Sequence, residues 1–118
     1  MKKFSEIEYV RPDMEAEREK VRAYTKALKE AKSYEELRGL FMEEKTREDA
    51  WATMAEVAQV RYTVDTRDSF YEGEVQFWNE TIPAIHLLIQ KAEKVILESP
   101  FIKEFAEEFG EFFVKNME

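Results

Sequence analysis

The sequence has no cysteine, and it contains only three glycines, three prolines and one histidine among 118 residues. Without cysteine, no disulfide, iron–sulfur cluster or thiol nucleophile can form. So few glycines and prolines leave few turns, which favours long elements and argues against an all-β fold. What is abundant is material for a core, because 44% of the residues are hydrophobic and 14% are aromatic.

An excess of basic residues is also missing, since the net charge is −8. A nucleic-acid-binding face needs a cluster of lysines and arginines, but the basic residues of 20–29 lie between Glu15, Glu17 and Glu19 on one side and Glu30 on the other. The most apolar stretch, residues 81–97, is interrupted by charged side chains, and the N-terminus lacks the apolar run of a signal peptide. We therefore expect a cytoplasmic protein with neither nucleic-acid nor membrane partners.

Apolar residues recur at helical spacing along most of the chain, and capping residues divide it. The sequence predicts one domain, residues 1–118, with an extended leader over 1–12 and a candidate short tail helix. The predicted helices cover about 14–32, 34–64, 68–98 and 100–109. Asp13 is the predicted cap of the first, Ser33 with Glu36 a capping box for the second, and Ser99-Pro100 a start signal for the fourth. Asp65, Thr66 and Asp68 remain alternative caps of the third.

The fold class that follows is all-α. Three long helices and a short C-terminal helix joined by tight connections pack most economically as an antiparallel up-down bundle. Two irregularities stand out. The middle of the second helix, "MEEKTRED" (residues 42–49), has no apolar residue after its methionine, so we expect one long helix with a weak waist. Pro83 lies inside the third helix and should kink it.

Catalytic chemistry is largely excluded by the single histidine. A zinc peptidase helix needs H-E-x-x-H, but His86 is followed by Leu87 and by Gln90 at the fourth position. A di-iron bundle needs paired Glu-x-x-His motifs, and Pro83 occupies the glutamate position. His86 alone as a general base is less favoured than a packed core or interface residue. The sequence therefore predicts no catalytic and no metal-binding residue.

Arg61 is the most unusual polar residue, because it continues the apolar stripe of Met54, Val57 and Val64. A guanidinium on such a face needs a partner, and Asp65 and Asp68 are within reach. We expect Arg61 to pair with one of them and to fix the junction between the second and third helices. A ligand-facing role for this junction, which also includes Tyr71, is the less favoured alternative.

Three segments carry a family resemblance: "MKKFSEIEYVRPDME", "ATMAEVAQVRYTVDTRDSFYEGEVQFW" and "ILESPFIKEFAEEFG". In this order they resemble the N-terminal region of oligoendopeptidase F, a zinc metallopeptidase of the thimet-oligopeptidase-like superfamily. The block from Arg61 to Tyr71 is the most specific part. The resemblance implies an all-helical piece of the lobe that walls the substrate channel. The family's zinc ligands lie far downstream, so it implies no cofactor and no activity in this chain alone.

The resemblance also implies partners. A lobe separated from its enzyme exposes apolar surface, so we expect contact with the remainder of the peptidase or self-association as a homodimer. The candidate interface residues, on the third helix and the phenylalanine-rich tail, are Trp78, His86, Phe105 and Phe109. The alternative function is an autonomous helical module that binds a protein or peptide in the groove of the third helix.

Overall fold

The computed structural model describes residues 6–118, which form five helices and no strand. The helices are α1 (Met14–Glu30), α2 (Tyr34–Val64), α3 (Ser69–Leu97), α4 (Ile102–Phe109) and α5 (Glu111–Met117). The predicted all-α class is confirmed, because the three long helices pack against one another and the short C-terminal helices close one end. Within the same residues, no helix is apolar over a length that would cross a bilayer.

Side-chain caps set the starts of the long helices. Asp13 accepts a hydrogen bond from the Ala16 amide at 3.2 Å, and Ser33 accepts one from the Glu36 amide at 3.1 Å. Glu36 in turn reaches back to the amide of Lys32 at 3.0 Å, which closes the capping box one residue earlier than the usual pattern. Of the alternatives for α3, Asp68 is the cap.

Some predicted boundaries differ from the structure. Residues 8–13 of the leader are neither helix nor strand, whereas residues 1–5 fall outside the described part. The fourth helix begins at Ile102 instead of Pro100, because the Ser99 hydroxyl caps a turn at Phe101. α3 continues through Pro83 without interruption. Gly110, with φ +97°, ends α4 and lets α5 begin as a separate helix.

The core consists of two clusters stacked along the 51 Å length of the molecule. One joins the end of α1 to the start of α2 and the end of α3, together with α4, and the other joins the opposite halves of the long helices. This distribution is what antiparallel neighbours produce. The first cluster contains Tyr24, Leu28, Leu37, Phe41, Ala92, Ile96 and Phe105. The second contains Met14, Val21, Trp51, Ala58, Trp78 and Ile85.

Candidate functional site

The leader is fastened to α3 by a buried carboxylate. Glu74 is only 6% exposed, and its carboxylate accepts hydrogen bonds from the Tyr9 hydroxyl at 2.6 Å and from Arg11 Nε at 3.0 Å. Its second oxygen pairs with Nη2 of Arg11. The Trp78 indole donates to the Tyr9 hydroxyl at 3.0 Å, and the Arg11 guanidinium lies 3.9 Å from the centre of the Phe77 ring. We call this group the leader clasp.

Both oxygens of Glu74 and the Tyr9 hydroxyl have hydrogen-bond partners, and the pKa shifts agree with that. Hydrogen bonds from Arg11 hold the pKa of Glu74 below its ordinary value, despite burial. Burial and the Glu74 carboxylate raise the pKa of Tyr9 to about 12. Glu74 is therefore a carboxylate and Tyr9 a neutral donor at neutral pH. Because both oxygens of Glu74 are used by the leader, Glu74 has a structural role in the clasp.

Arg61 has different partners from those predicted. Nη1 of Arg61 donates to the Tyr71 hydroxyl at 2.8 Å, and Nη2 donates to the backbone carbonyl of Ile7 in the leader. The predicted ion pair with Asp65 or Asp68 was therefore wrong. The physical reason is that the leader passes beside α2 and supplies the Ile7 carbonyl as an acceptor, while Asp65 and Asp68 accept from backbone amides near the start of α3.

The two aspartates have their own tasks at this junction. Asp65 accepts from the backbone amide of Arg67 at 3.0 Å and from its guanidinium at 3.2 Å. Asp68 accepts from the amides of Phe70 and Tyr71. Both aspartates therefore shape the turn and the start of α3. Arg61, through Tyr71 and Ile7, joins α2, α3 and the leader.

The predicted interface residues separate into two groups. Trp78 is 3% exposed and Phe105 is fully buried, so neither can present a surface to a partner. Phe109 is half-buried, with its ring centre 5.0 Å from that of Phe41 and 4.7 Å from that of Phe105. The expectation of an exposed phenylalanine-rich tail was wrong for these rings, because they pack on α2. His86 is exposed, as is Phe112 of α5.

Sequence reasoning missed a group of carboxylates in the weak waist of α2. Glu44 is 1% exposed, and its Oε1 accepts from Arg47. Burial and the neighbouring Glu44 raise the pKa of Glu48 to about 8, and burial also raises the pKa of Glu93 on α3. The signal was available, because Glu44 and Glu48 continue the stripe that begins with Leu37 and Phe41. These three glutamates are called the waist carboxylates below.

The waist carboxylates do not make a metal centre. Across residues 6–118 no three histidine, cysteine, aspartate or glutamate side chains are grouped so that they could hold a metal ion. Glu44 already shares one oxygen with Arg47, and Lys45 acts electrostatically on Glu48 and Glu93. The cluster is thus suited to holding protons or to meeting an organic cation.

Comparisons with known proteins place this fold. The family model described as the Peptidase M3 N-terminal domain matches residues 4–118. Two solved structures, one described as PZ peptidase A with an inhibitor and the other as a putative oligoendopeptidase F, are each 27% identical with a TM-score of 0.92. Each match covers 98% of this chain but only 20% of the solved chain. A search of curated proteins found no match.

Proposed function

The chain belongs to the Peptidase M3 N-terminal domain family, and from this premise we propose that it is a non-catalytic wall of the lobe that encloses the peptide substrate. One observation carries the proposal: nearly the whole chain superimposes on only one fifth of two peptidases. A polypeptide that supplies one fifth of an enzyme contributes part of its architecture. The activity and the substrates of the complete peptidase are therefore connected with this chain only as part of the proposal.

The chain's own chemistry supports a non-catalytic role. The zinc centre implied by the family resemblance needs histidine ligands one helical turn apart, and the sequence has one histidine. In the described part of the chain no other group of ligating side chains replaces them. The carboxylate with the most hydrogen bonds, Glu74, is committed to the leader clasp. We infer that peptide hydrolysis requires residues beyond those present here.

The absence of activity is tested with a set of quenched fluorescent peptides, with and without added zinc. We expect no cleavage above the rate in buffer and no stoichiometric zinc in the purified chain. Zinc retention together with hydrolysis would refute the proposal. As a positive control, an intact oligoendopeptidase F is assayed on the same peptides.

The enclosing role is tested by a chimaera in which this chain replaces the matching region of an oligoendopeptidase F. The TM-score of 0.92 indicates that the backbone is compatible. We expect the chimaera to cleave peptides and to keep its preference for short ones. A version without this region should retain zinc but lose the length preference. Unchanged length preference in that deletion would argue against a wall function.

One observation favours the binding-module alternative, an open furrow between α2 and α3. This alternative predicts that the isolated chain binds a peptide ligand with no peptidase present. Homodimer formation also remains a proposal, and sedimentation at several concentrations tests it. Burial of Trp78 and Phe105 removes two of the residues on which that dimer was expected to depend. A cytoplasmic location, suggested by the lack of cysteine, is likewise a proposal that cell fractionation tests.

A further inference from the structure

A continuous furrow runs between α2 and α3. It consists of three cavities of about 150, 150 and 190 Å³ in succession. The first and second share Glu48, His86 and Ile89 as walls, and the second and third share Trp78 and Ile82. Because neighbouring cavities have common walls, they form one feature, which we call the α2–α3 furrow.

The length of the furrow corresponds to a helix. On α2 its lining runs from Phe41 to Gln59, and at 1.5 Å per residue this is about 27 Å, or roughly five helical turns. Side chains of α1, Met14 and Tyr24, reach its walls from the bundle interior. At one end it is bounded by Phe113 and Met117 of α5, so a helix of this chain already closes part of it. A straight groove between antiparallel helices is the position that a fourth helix occupies in a bundle.

The furrow has apolar walls and two glutamates near the end that α5 bounds. Ile82 is 45% exposed along it, Ile89 lies beside it, and α2 contributes the small side chain of Ala52. Glu48 and Glu93 line the first cavity together, at the end of the furrow that α5 bounds, and Lys45 and His86 line the same cavity. An occupant that matched this surface would be apolar along its length and positively charged near the end that lies beside α5.

The carboxylates behind this cavity depend on a proton. Glu44 is 1% exposed and its Oε1 accepts from Arg47, while none of the described N–H or hydroxyl groups donates to its Oε2. A hydrogen bond with Glu44 helps to raise the pKa of Glu48, so the proton that Glu48 keeps serves the Glu44 carboxylate. Lys45 on α2 acts on Glu48 and on Glu93, His86 on α3 acts on Glu93, and the buried Tyr24 on α1 faces all three carboxylates. A cation from an occupant of the furrow could take the place of that proton.

We propose that the α2–α3 furrow docks an amphipathic helix from the rest of the peptidase polypeptide, with a lysine or arginine of that helix set against Glu48 and Glu93. The proposal rests on the proposed function, since the solved relatives are about five times as long as the matched region. Apolar side chains of the docked helix lie on Ile82 and Ile89. Its cation offsets the waist carboxylates, which displaces the proton that burial keeps on Glu48.

The test uses the 118-residue chain with two synthetic amphipathic peptides as probes, one of leucine and lysine and the other with glutamate in place of lysine. Titration calorimetry at about pH 8.5 should show that the lysine peptide binds and that the glutamate peptide binds at least about tenfold more weakly. The double variant Glu48→Gln with Glu93→Gln should bind the lysine peptide more weakly by a similar factor. Ile82→Arg should also lower this affinity. Because Ile82 is exposed, its replacement should leave the fold intact.

Leu87→Gln is the matched control. Leu87 is an exposed apolar residue of α3 that does not line the furrow, so its replacement should leave affinity within about twofold. Affinity of the wild-type chain for the lysine peptide should rise between about pH 6 and pH 8.5, and the rise should be smaller in Glu48→Gln. Circular dichroism verifies that each variant is folded before binding is measured.

Four results would overturn the proposal. Equal binding of the lysine and glutamate peptides would mean non-specific apolar adsorption, and unchanged binding in the double variant would place the site elsewhere. An extended lysine-containing tetrapeptide that binds as tightly as the helix would identify a substrate groove. Dimers that Ile82→Arg dissociates would identify a second copy as the occupant. None of these results involves peptide cleavage, so the non-catalytic assignment is tested separately, by the assay with fluorescent peptides.

Discussion

Replacing Glu74 measures how strongly the leader is fastened to the helical bundle. Glu74→Ala removes the acceptor of three hydrogen bonds, two of them from Arg11 and one from Tyr9. Breaking a fully buried charge pair costs about 3–5 kcal/mol. Glu74 is buried but the Arg11 side chain is 47% exposed, so solvent screens the freed guanidinium and the lower end applies. We therefore expect a loss of about 3 kcal/mol in the free energy of unfolding.

The expected change in melting temperature follows from chain length. At roughly 2.1 cal/mol/K per residue, 118 residues give an unfolding entropy near 0.25 kcal/mol/K, so 1 kcal/mol corresponds to about 4 °C. Glu74→Ala should melt about 12 °C below the wild type. Glu74→Gln keeps the shape and some hydrogen bonds but loses the charge, so its decrease should be about half as large. Thermal and urea unfolding followed by circular dichroism measures both variants.

The pH dependence gives a second measurement of the same group. Arg11 lowers the folded-state pKa of Glu74, so its contribution is present above the unfolded carboxyl pKa and is lost as pH falls through the lowered value. The difference in stability between wild type and Glu74→Gln should therefore narrow below about pH 4. Glu72→Gln, an exposed neighbour on α3, is the control and should change stability little. A Glu74→Ala protein that melts with the wild type would refute the clasp.

Four further substitutions test other parts of the structure. Burial raises the pKa of Glu48 to about 8, so the contribution of the protonated group to stability is full below about pH 4.5 and is lost as pH rises through 8. Glu48→Gln should therefore have the melting temperature of wild type in acid and a higher one at about pH 9. A difference in melting temperature that does not change with pH would contradict this. Gly110→Ala should cost about 1–3 kcal/mol, because φ +97° disfavours any side chain although the space is open, whereas Gly39→Ala in the interior of α2 should raise the melting temperature. Arg61→Ala should cost about 1–3 kcal/mol through its two lost hydrogen bonds, and equal stability of Arg61→Ala and wild type would exclude a role at the junction.

The parts of the fold that depend on nearby residues could be predicted from the sequence. Caps at Asp13 and Ser33 act over three residues, and the apolar stripes that build α1 and α3 repeat every turn. The partners of Arg61 could not be predicted in this way. Ile7 is 54 positions away along the chain, and only the tertiary arrangement brings the leader to Arg61. Reasoning from spacing therefore selected Asp65 and Asp68, which are near in sequence.

The burial of Glu44 in the middle of α2 was missed for another reason. Carboxylates between two apolar segments are typical of a solvated face, so Glu44 was not predicted to lie in the core. In the bundle, the stripe that contains Phe41 continues through Glu44 and Glu48 towards the interior. Helical spacing alone would have predicted that Glu44 and Glu48 lie on the core-facing side of α2. The prediction gave more weight to their charge than to their spacing. Buried ionisable groups of this kind are found where function overrides the local rules of folding.

The two buried glutamates of this domain show how a structural charge differs from one that waits for a partner. Glu74 uses both oxygens and is surrounded by the donors of Tyr9 and Arg11. Glu44 has one oxygen on Arg47, and the neighbouring Glu48 keeps a proton that it shares with Glu44 and holds more strongly than an ordinary carboxyl does. That proton is lost as the pH rises through about 8, whereas at Glu74 the charge of Arg11 is permanent. If the proposed helix supplies a cation in place of the proton, docking and the folding of this domain are thermodynamically linked.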